Sequence, residues 1–132
     1  MHQEKLIGRY MTEMPHTIGE DIILPKAIEM MKEFRIRHLP VQYNGKVTGM
    51  LSERDIQLVL SIHPTAKDLK VGDVMTDSPY CVESSAPLAE VVTEMARRKY
   101  GAAIIENESG RAIGIFTAID ALSLLGEFLS KR

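Results

Sequence analysis

Two short patterns hold the residues of this chain best suited to chemistry: Gly49-x-x-Ser52-x-x-Asp55 and Gly114-x-x-Thr117-x-x-Asp120. A hydroxyl followed three residues later by an acid marks a helix start. The hydroxyl accepts from an amide of the first turn, and the acid bonds back to the cap amide and offsets the helix dipole. A single such pattern carries no more than that. Here it closes both copies of a repeated unit, just after a strand, behind a glycine that permits close backbone approach, so each pair is assigned a second role in a site. The first copy adds Arg37, His38 and Arg54. Arg54 falls in the first helical turn, where the dipole disfavours a cation, a hint that it serves something other than the helix. The second copy has Gly101, Ala102 and Ile119 at the matching positions and is the less cationic of the two. Its Arg98 and Lys99 read as solvated charges at a helix end.

Other chemistries lack their residues. Cys81 is the sole cysteine, which excludes an internal disulfide and Cys-Cys zinc spacings, and His2, His16, His38 and His63 are too scattered for an H-E-x-x-H site. No glycine-rich phosphate loop, nucleophile elbow or metal-ligand set is present in the sequence, so no catalytic residue and no metal is assigned. His16 and Tyr80 read as a strand-end histidine and an aromatic core edge. Cys81 reads as a small buried hydrophobe, and Met30, Met31, Met50 and Met95 as core filler.

At 132 residues, 45% hydrophobic and 26% charged, the composition is that of one globular domain able to bury a core without staples. Sixteen basic against 18 acidic residues leave a net charge of −2, which recruits neither nucleic acid nor an anionic membrane. Apolar runs such as Leu58-Val59-Leu60 are far shorter than a span, and Met1-His2-Gln3-Glu4-Lys5 has no signal-type apolar region behind it. The expectation is a soluble protein of the cytoplasm. Asn107-Glu108-Ser109 spells a glycosylation acceptor only by accident of a polar loop.

The elements that must position these residues come in two copies. Tyr10-Met11-Thr12-Glu13-Met14-Pro15 returns as Val74-Met75-Thr76-Asp77-Ser78-Pro79, and Leu24, Ala27, Ile28 and Met31 return as Leu88, Val91, Val92 and Met95. That i, i+3, i+4, i+7 spacing is one face of a helix. Asn44-Gly45 suits a tight hairpin turn, and Asn107-Glu108-Ser109-Gly110 is its longer counterpart, which absorbs one inserted residue without shifting register. A short extended piece precedes each helix (Thr17-Ile18, and Cys81-Val82-Glu83) and a second helix follows Ser52 or Thr117. The fold class is α+β, two tandem β-α-β-β-α repeats over 8–62 and 73–129 with a connection at 63–72, packed about a pseudo-twofold axis.

On these residues the chain resembles the cystathionine β-synthase (CBS) domain pair. The carriers are Met11-Thr12 with Pro15, Arg37-His38-Leu39-Pro40-Val41, the hairpin turn, and above all the two Gly-x-x-Ser/Thr-x-x-Asp closures. The resemblance runs from about residue 8 to 129 and leaves no stretch for a catalytic domain. It implies a non-enzymatic regulatory module that binds AMP, ADP or ATP in clefts between the repeats. In that family the Asp accepts hydrogen bonds from ribose hydroxyls, and a carboxylate at a helix start can receive two vicinal ones, while helix-terminal amides suit phosphate. By carry-over Asp55 and Asp120 are ribose anchors. Ser52 and Thr117 contact the sugar or first phosphate, and Arg37, His38 and Arg54 meet phosphates. The base lies against backbone of Thr12 with His16-Thr17-Ile18 in one copy, and Thr76 with Tyr80-Cys81-Val82 in the other. Each Asp is expected to face the opening strand of the opposite copy.

The resemblance also implies a homodimer through helices 53–62 and 118–129, with Ile56, Val59, Leu122, Leu125, Phe128 and Leu129 as exposed apolar candidates, and a regulated protein that the sequence does not name. Two rival readings are a dimerisation platform with vestigial clefts, and a binder of S-adenosylmethionine or NAD, which share the ribose and purine. No catalytic cofactor is implied.

Overall fold

The computed structural model describes residues 4–131, so Met1, His2 and Gln3, which the signal-peptide and histidine readings touch, lie outside the described residues, as does Arg132. The helix periodicity appears as α1 (Leu24–Phe34) and α4 (Leu88–Arg98), each opened by a proline at or beside its first residue. Each stops at a left-handed residue, Arg35 (φ 54°) or Lys99 (φ 61°), whose amide bonds back to Met31 or Met95. Leu24, Ala27 and Met31 are buried on one helix, Val91 and Met95 on the other.

Each helix leads into a hairpin: β3 (His38–Tyr43) with β4 (Lys46–Ser52), and β7 (Ala102–Glu106) with β8 (Ala112–Thr117). Asn44 (φ 51°) and Gly45 (φ 76°) form the tight turn. In the second hairpin Asn107 Oδ1 accepts from the amides of Ser109 and Arg111, and Gly110 takes φ 81°, which is where the extra residue goes. The closing helices are α2 (Glu53–Ile62) and α5 (Ala118–Ser130). The short opening strands of the repeats are β2 (Ile18–Gly19) and β6 (Cys81–Val82), parallel to β3 and β7.

One strand per repeat was not foreseen. β1 (Thr12–Glu13) and β5 (Thr76–Asp77) cross to the other repeat's sheet, giving the orders β1-β8-β7-β6 and β2-β3-β4-β5. Thr12 lies opposite Ile115 and Glu13 opposite Gly114, while Thr76 lies opposite Met50 and Asp77 opposite Gly49. This crossing accounts for the two glycines. A Cβ on Gly49 would stand 2.8 Å from the Thr76 carbonyl oxygen and against Met75, and one on Gly114 would collide with Met11. The backbone that approaches closely is the incoming strand.

The exchange extends upstream of each crossing strand. Ile7 and Gly8 donate to the carbonyls of Ala86 and Ser84, and Val71 and Gly72 donate to those of Ile22 and Glu20. Ile7-Gly8 and Val71-Gly72 are thus a further matched pair, and Val71 sits in α3 (Val71–Val74). The stretch 63–72 is accordingly not a plain connection: it holds a 3₁₀ turn (Ala66–Asp68) and the start of α3. Ile7 is packed with Val91, Met95, Ala103, Ile105 and Phe116 of the second repeat, whereas Val71 joins the first-repeat core of Leu24, Leu39, Val41 and Leu51. A third cluster of Met50, Ala102, Ile104, Ala112 and Ile115 contains residues of both repeats. Gln42 Oε1 accepts from the Ala112 amide at 2.9 Å, and Val47 donates to the Gly110 carbonyl at 2.8 Å, so the hairpins are also tied by hydrogen bonds.

Two expected exposures are corrected. Ile56 is buried and Val59 packs partly against the first core, because 56, 59 and 60 form the inward stripe of α2. The exposed apolar residues of α2 are Leu58 and Ile62. On α5 no residue is buried, and Ile119, Leu122, Leu125, Phe128 and Leu129 all face outward. Met31, Met50 and Met95 are core residues and Met30 is partly buried.

Candidate functional site

Both helix starts are reciprocal capping boxes. The Asp55 amide donates to Ser52 Oγ at 3.0 Å and the Ser52 amide donates to Asp55 Oδ2 at 3.0 Å. The Asp120 amide donates to Thr117 Oγ1 at 3.2 Å and the Thr117 amide donates to Asp120 Oδ2 at 2.8 Å. Each carboxylate is half-buried and uses one oxygen on the cap, which leaves Oδ1 without a partner among the described residues. A carboxylate fixed this way at the positive end of a helix can accept from hydroxyl groups of a ligand with little reorganisation.

His38 pairs with Ser52 across the hairpin, and the Arg37 carbonyl accepts the Glu53 amide at 2.9 Å, which places Arg37 and His38 beside the Asp55 box. Arg37 and Arg54 are exposed and His38 is half-buried. Burial makes His38 harder to protonate, Arg37 adds to this, and Asp55 and Glu53 oppose it. The equivalent positions are bare: Ala102 pairs with Thr117, the Gly101 carbonyl accepts the Ala118 amide at 2.9 Å, and Ile119 is exposed. Arg97 and Arg98, by contrast, are bonded to Glu94, so that cluster is a set of ion pairs on α4 in addition to a solvated helix end.

The opening segments divide. Thr76 joins the strand that leads to Asp55 and Thr12 the strand that leads to Asp120, so the first half of each segment does sit beside the opposite copy's acid strand. The second half does not cross. Ile18 pairs with Val41, Cys81 with Ile104 and Val82 with Ile105, all within the same repeat, because a parallel strand must follow its own helix–hairpin order. Thr17 is half-buried beside Ile18. His16 is exposed and stacks on Phe34 with centroids 3.7 Å apart, and Tyr80 stacks on Tyr100 at 5.1 Å. The Tyr80 carbonyl is engaged by the Ile104 amide at 2.9 Å. Cys81 is partly buried, and burial with help from Glu106 pushes its thiol up to about 11. An open depression of about 660 Å³ lies elsewhere, over α4 between Tyr80, Glu90 and Arg97, and touches neither acid. Among the described residues no group of three His, Cys, Asp or Glu could hold a metal ion.

One contact of the site was not visible in the sequence. His38 reaches across the seam between the repeats to Gly101: a Cβ there would stand 2.9 Å from Nε2. The only hint was that glycine stands in the second repeat where the first has arginine.

Comparison with known proteins fits this arrangement. A CBS domain protein of Dictyostelium discoideum is 27% identical over 91% of this chain and 90% of its own length. A homoserine O-acetyltransferase of Methanococcoides burtonii is 29% identical over 91% of this chain, but the chain spans only 24% of that protein. Among solved structures, the CBS domain pair of protein MJ0100 in complex with 5′-methylthioadenosine and S-adenosylmethionine superposes with a TM-score of 0.87 at 22% identity, covering 96% of this chain and 99% of the other. CBSX2 in complex with AMP gives 0.78 at 23% identity over 94% and 98%. An uncharacterized protein of Pyrococcus horikoshii gives 0.82 at 28% over 100% and 97%. The CBS domain model itself matches residues 7–62 and again 71–127, and with both repeats accounted for the chain belongs to the CBS domain family, as a tandem pair.

Proposed function

We propose that this pair is a non-enzymatic regulatory module that binds adenine nucleotides, AMP, ADP or ATP, beside its capping boxes. The observation that carries the reading is the twofold occurrence of a fixed, half-buried carboxylate with one oxygen on the cap and one unpartnered. Asp55 and Asp120 accept the ribose hydroxyls, with Ser52 and Thr117 next to the sugar or first phosphate. Arg37, Arg54 and His38 face the phosphates in the first cleft, which makes it the better site for a phosphorylated ligand. The base stands against backbone of the opening segments, Thr12 with His16-Thr17-Ile18 and Thr76 with Tyr80-Cys81-Val82. Two likenesses support an adenosyl ligand in general, since MJ0100 and CBSX2 are described as complexes with 5′-methylthioadenosine, S-adenosylmethionine and AMP.

The module acts as a homodimer. α5 buries no residue yet carries Ile119, Leu122, Leu125, Phe128 and Leu129 exposed, and α2 adds Leu58 and Ile62. A surface of that character is covered in use, and a self-complementary contact between like helices is the simplest cover. Ligand then regulates a further protein by binding two arrangements of the pair with different affinity. Among the described residues no helix is long and apolar enough to cross a membrane, and the reading places the module in the cytoplasm.

The test is a calorimetric titration of AMP, ATP, S-adenosylmethionine and NAD into nucleotide-free protein and into Asp55→Ala and Asp120→Ala. Micromolar binding of one ligand, abolished by one substitution, supports the reading and names the cleft. No heat and no melting shift with any of the four would leave the dimerisation platform as the function.

A further inference from the structure

The two repeats differ in a telling way where they meet around the first cleft. There the first repeat presents Arg37-His38 and the second Gly101-Ala102. His38 fills the space that a side chain at position 101 would need: a Cβ on Gly101 would lie 2.9 Å from Nε2, inside ordinary contact distance, and 3.5 Å from Cε1. The reverse contact has no counterpart, because Ala102 stands where the second repeat would need an imidazole. Gly101 has no contact with Asp55 in the capping geometry. Its carbonyl caps α5 through the Ala118 amide at 2.9 Å.

We propose that Gly101 is a positioning residue for the Asp55 cleft: by lacking a side chain it holds the His38 imidazole in the seam, so the second repeat sets the polar wall of the first repeat's site. The assignment of a ligand to that wall rests on the adenine-nucleotide reading; the placement of His38 does not. Held in the seam, the imidazole is half-buried, has Asp55 and Glu53 of α2, Arg37 just before its own strand and Gly101 of the second repeat around it, and is harder to protonate than a free histidine. In the adenine-nucleotide reading it then offers a hydrogen-bonding group beside Asp55 and Arg37, and the phosphate charge is met by the arginines.

Gly101→Ala is a clean probe because the added methyl meets only the far end of a rotatable side chain, and no backbone atom is among the contacts. In ligand-free protein, the His38 imidazole resonance, assigned with His38→Ala, is titrated by NMR in wild type and Gly101→Ala. The expected result is a midpoint raised toward the ordinary histidine value in the variant; an unchanged midpoint overturns the placement. AMP is then titrated into wild type, Gly101→Ala, His38→Ala and the double variant. Gly101→Ala is expected to weaken AMP by about tenfold, the scale of one hydrogen bond to a charged group, and to add nothing in the His38→Ala background. An equal loss in both backgrounds overturns the proposal, since Gly101 would then act on the cleft without His38. If wild type binds no AMP, the nucleotide reading fails and the NMR titration alone decides the placement.

Discussion

Asp55 and Asp120 each cap a helix, and in the proposed reading each also serves a site with the same carboxylate, so substitution separates the two roles. Asn retains an oxygen for the cap amide but replaces the free acceptor with a donor. Asp55→Asn is therefore expected to keep the thermal midpoint near wild type and to lose nucleotide binding, measured by calorimetry and a thermal scan of the same sample. Ser52→Ala or Thr117→Ala removes a cap and is expected to cost about 1 kcal/mol in denaturant unfolding. His38 gives a pH signature. Its native affinity for a proton is lowered, chiefly by burial, so on acidification the unfolded chain takes up the proton first. Its contribution to stability is complete above the ordinary value of 6.5, declines as pH falls through it, and levels off below the native midpoint. His38→Ala is expected to flatten the urea midpoint over that window. Cys81, with its thiol pushed up to about 11, is expected to react with a disulfide reagent at pH 8 far more slowly than a free thiol.

At the scale of elements, the capping boxes, the Asn44-Gly45 turn and the inward faces of α1 and α4 were all legible, because each is a local rule satisfied by a few neighbouring residues. The phase of α2 was misjudged although its spacing held the answer. Ile56, Val59 and Leu60 make the i, i+3, i+4 stripe that packs inward, and Leu58 with Ile62 makes the outward pair. On α5 the phase was read correctly: Leu122, Leu125, Phe128 and Leu129 are exposed as expected, while Ala121 and Leu124 pack partly against the second core. Phe128 and Leu129, 73% and 71% exposed, are the sharpest probes of that face. Phe128→Glu with Leu129→Glu is expected to turn a sedimenting dimer into a folded monomer, and an unchanged sedimentation coefficient would count against α5 as the interface.

At the scale of the molecule, the repeat itself was plain in the sequence, while the exchange of leading segments entered only through the family resemblance, which set each Asp against the opening strand of the opposite copy. Two-residue strands carry no periodicity, and which sheet they join is decided by distant edges. The sign of the exchange lay in Ile7-Gly8 and Val71-Gly72, a matched pair upstream of the obvious motif. Neither repeat is complete by itself, since Ile7 lies in the second core and Val71 in the first. Ile7→Ala is expected to destabilise by about 2–4 kcal/mol, as large-to-small changes in a closed core do, and to increase hydrogen exchange most strongly in β7 and β8. A fragment ending at residue 62 is expected to lack cooperative unfolding by circular dichroism.

The crossing also imposes an order on birth. As the chain leaves the ribosome, Thr12-Glu13 emerges early, but its partners Gly114 and Ile115 follow roughly 100 residues later. At about 5–20 residues per second, that strand waits on the order of 5–20 s without its sheet. The first half can close once Thr76-Asp77 has emerged, with the leading segment still unclaimed. The leading segment of the first repeat is therefore made before the first core and docks after it, and the nascent chain fastens the second half with a strand made ahead of the first.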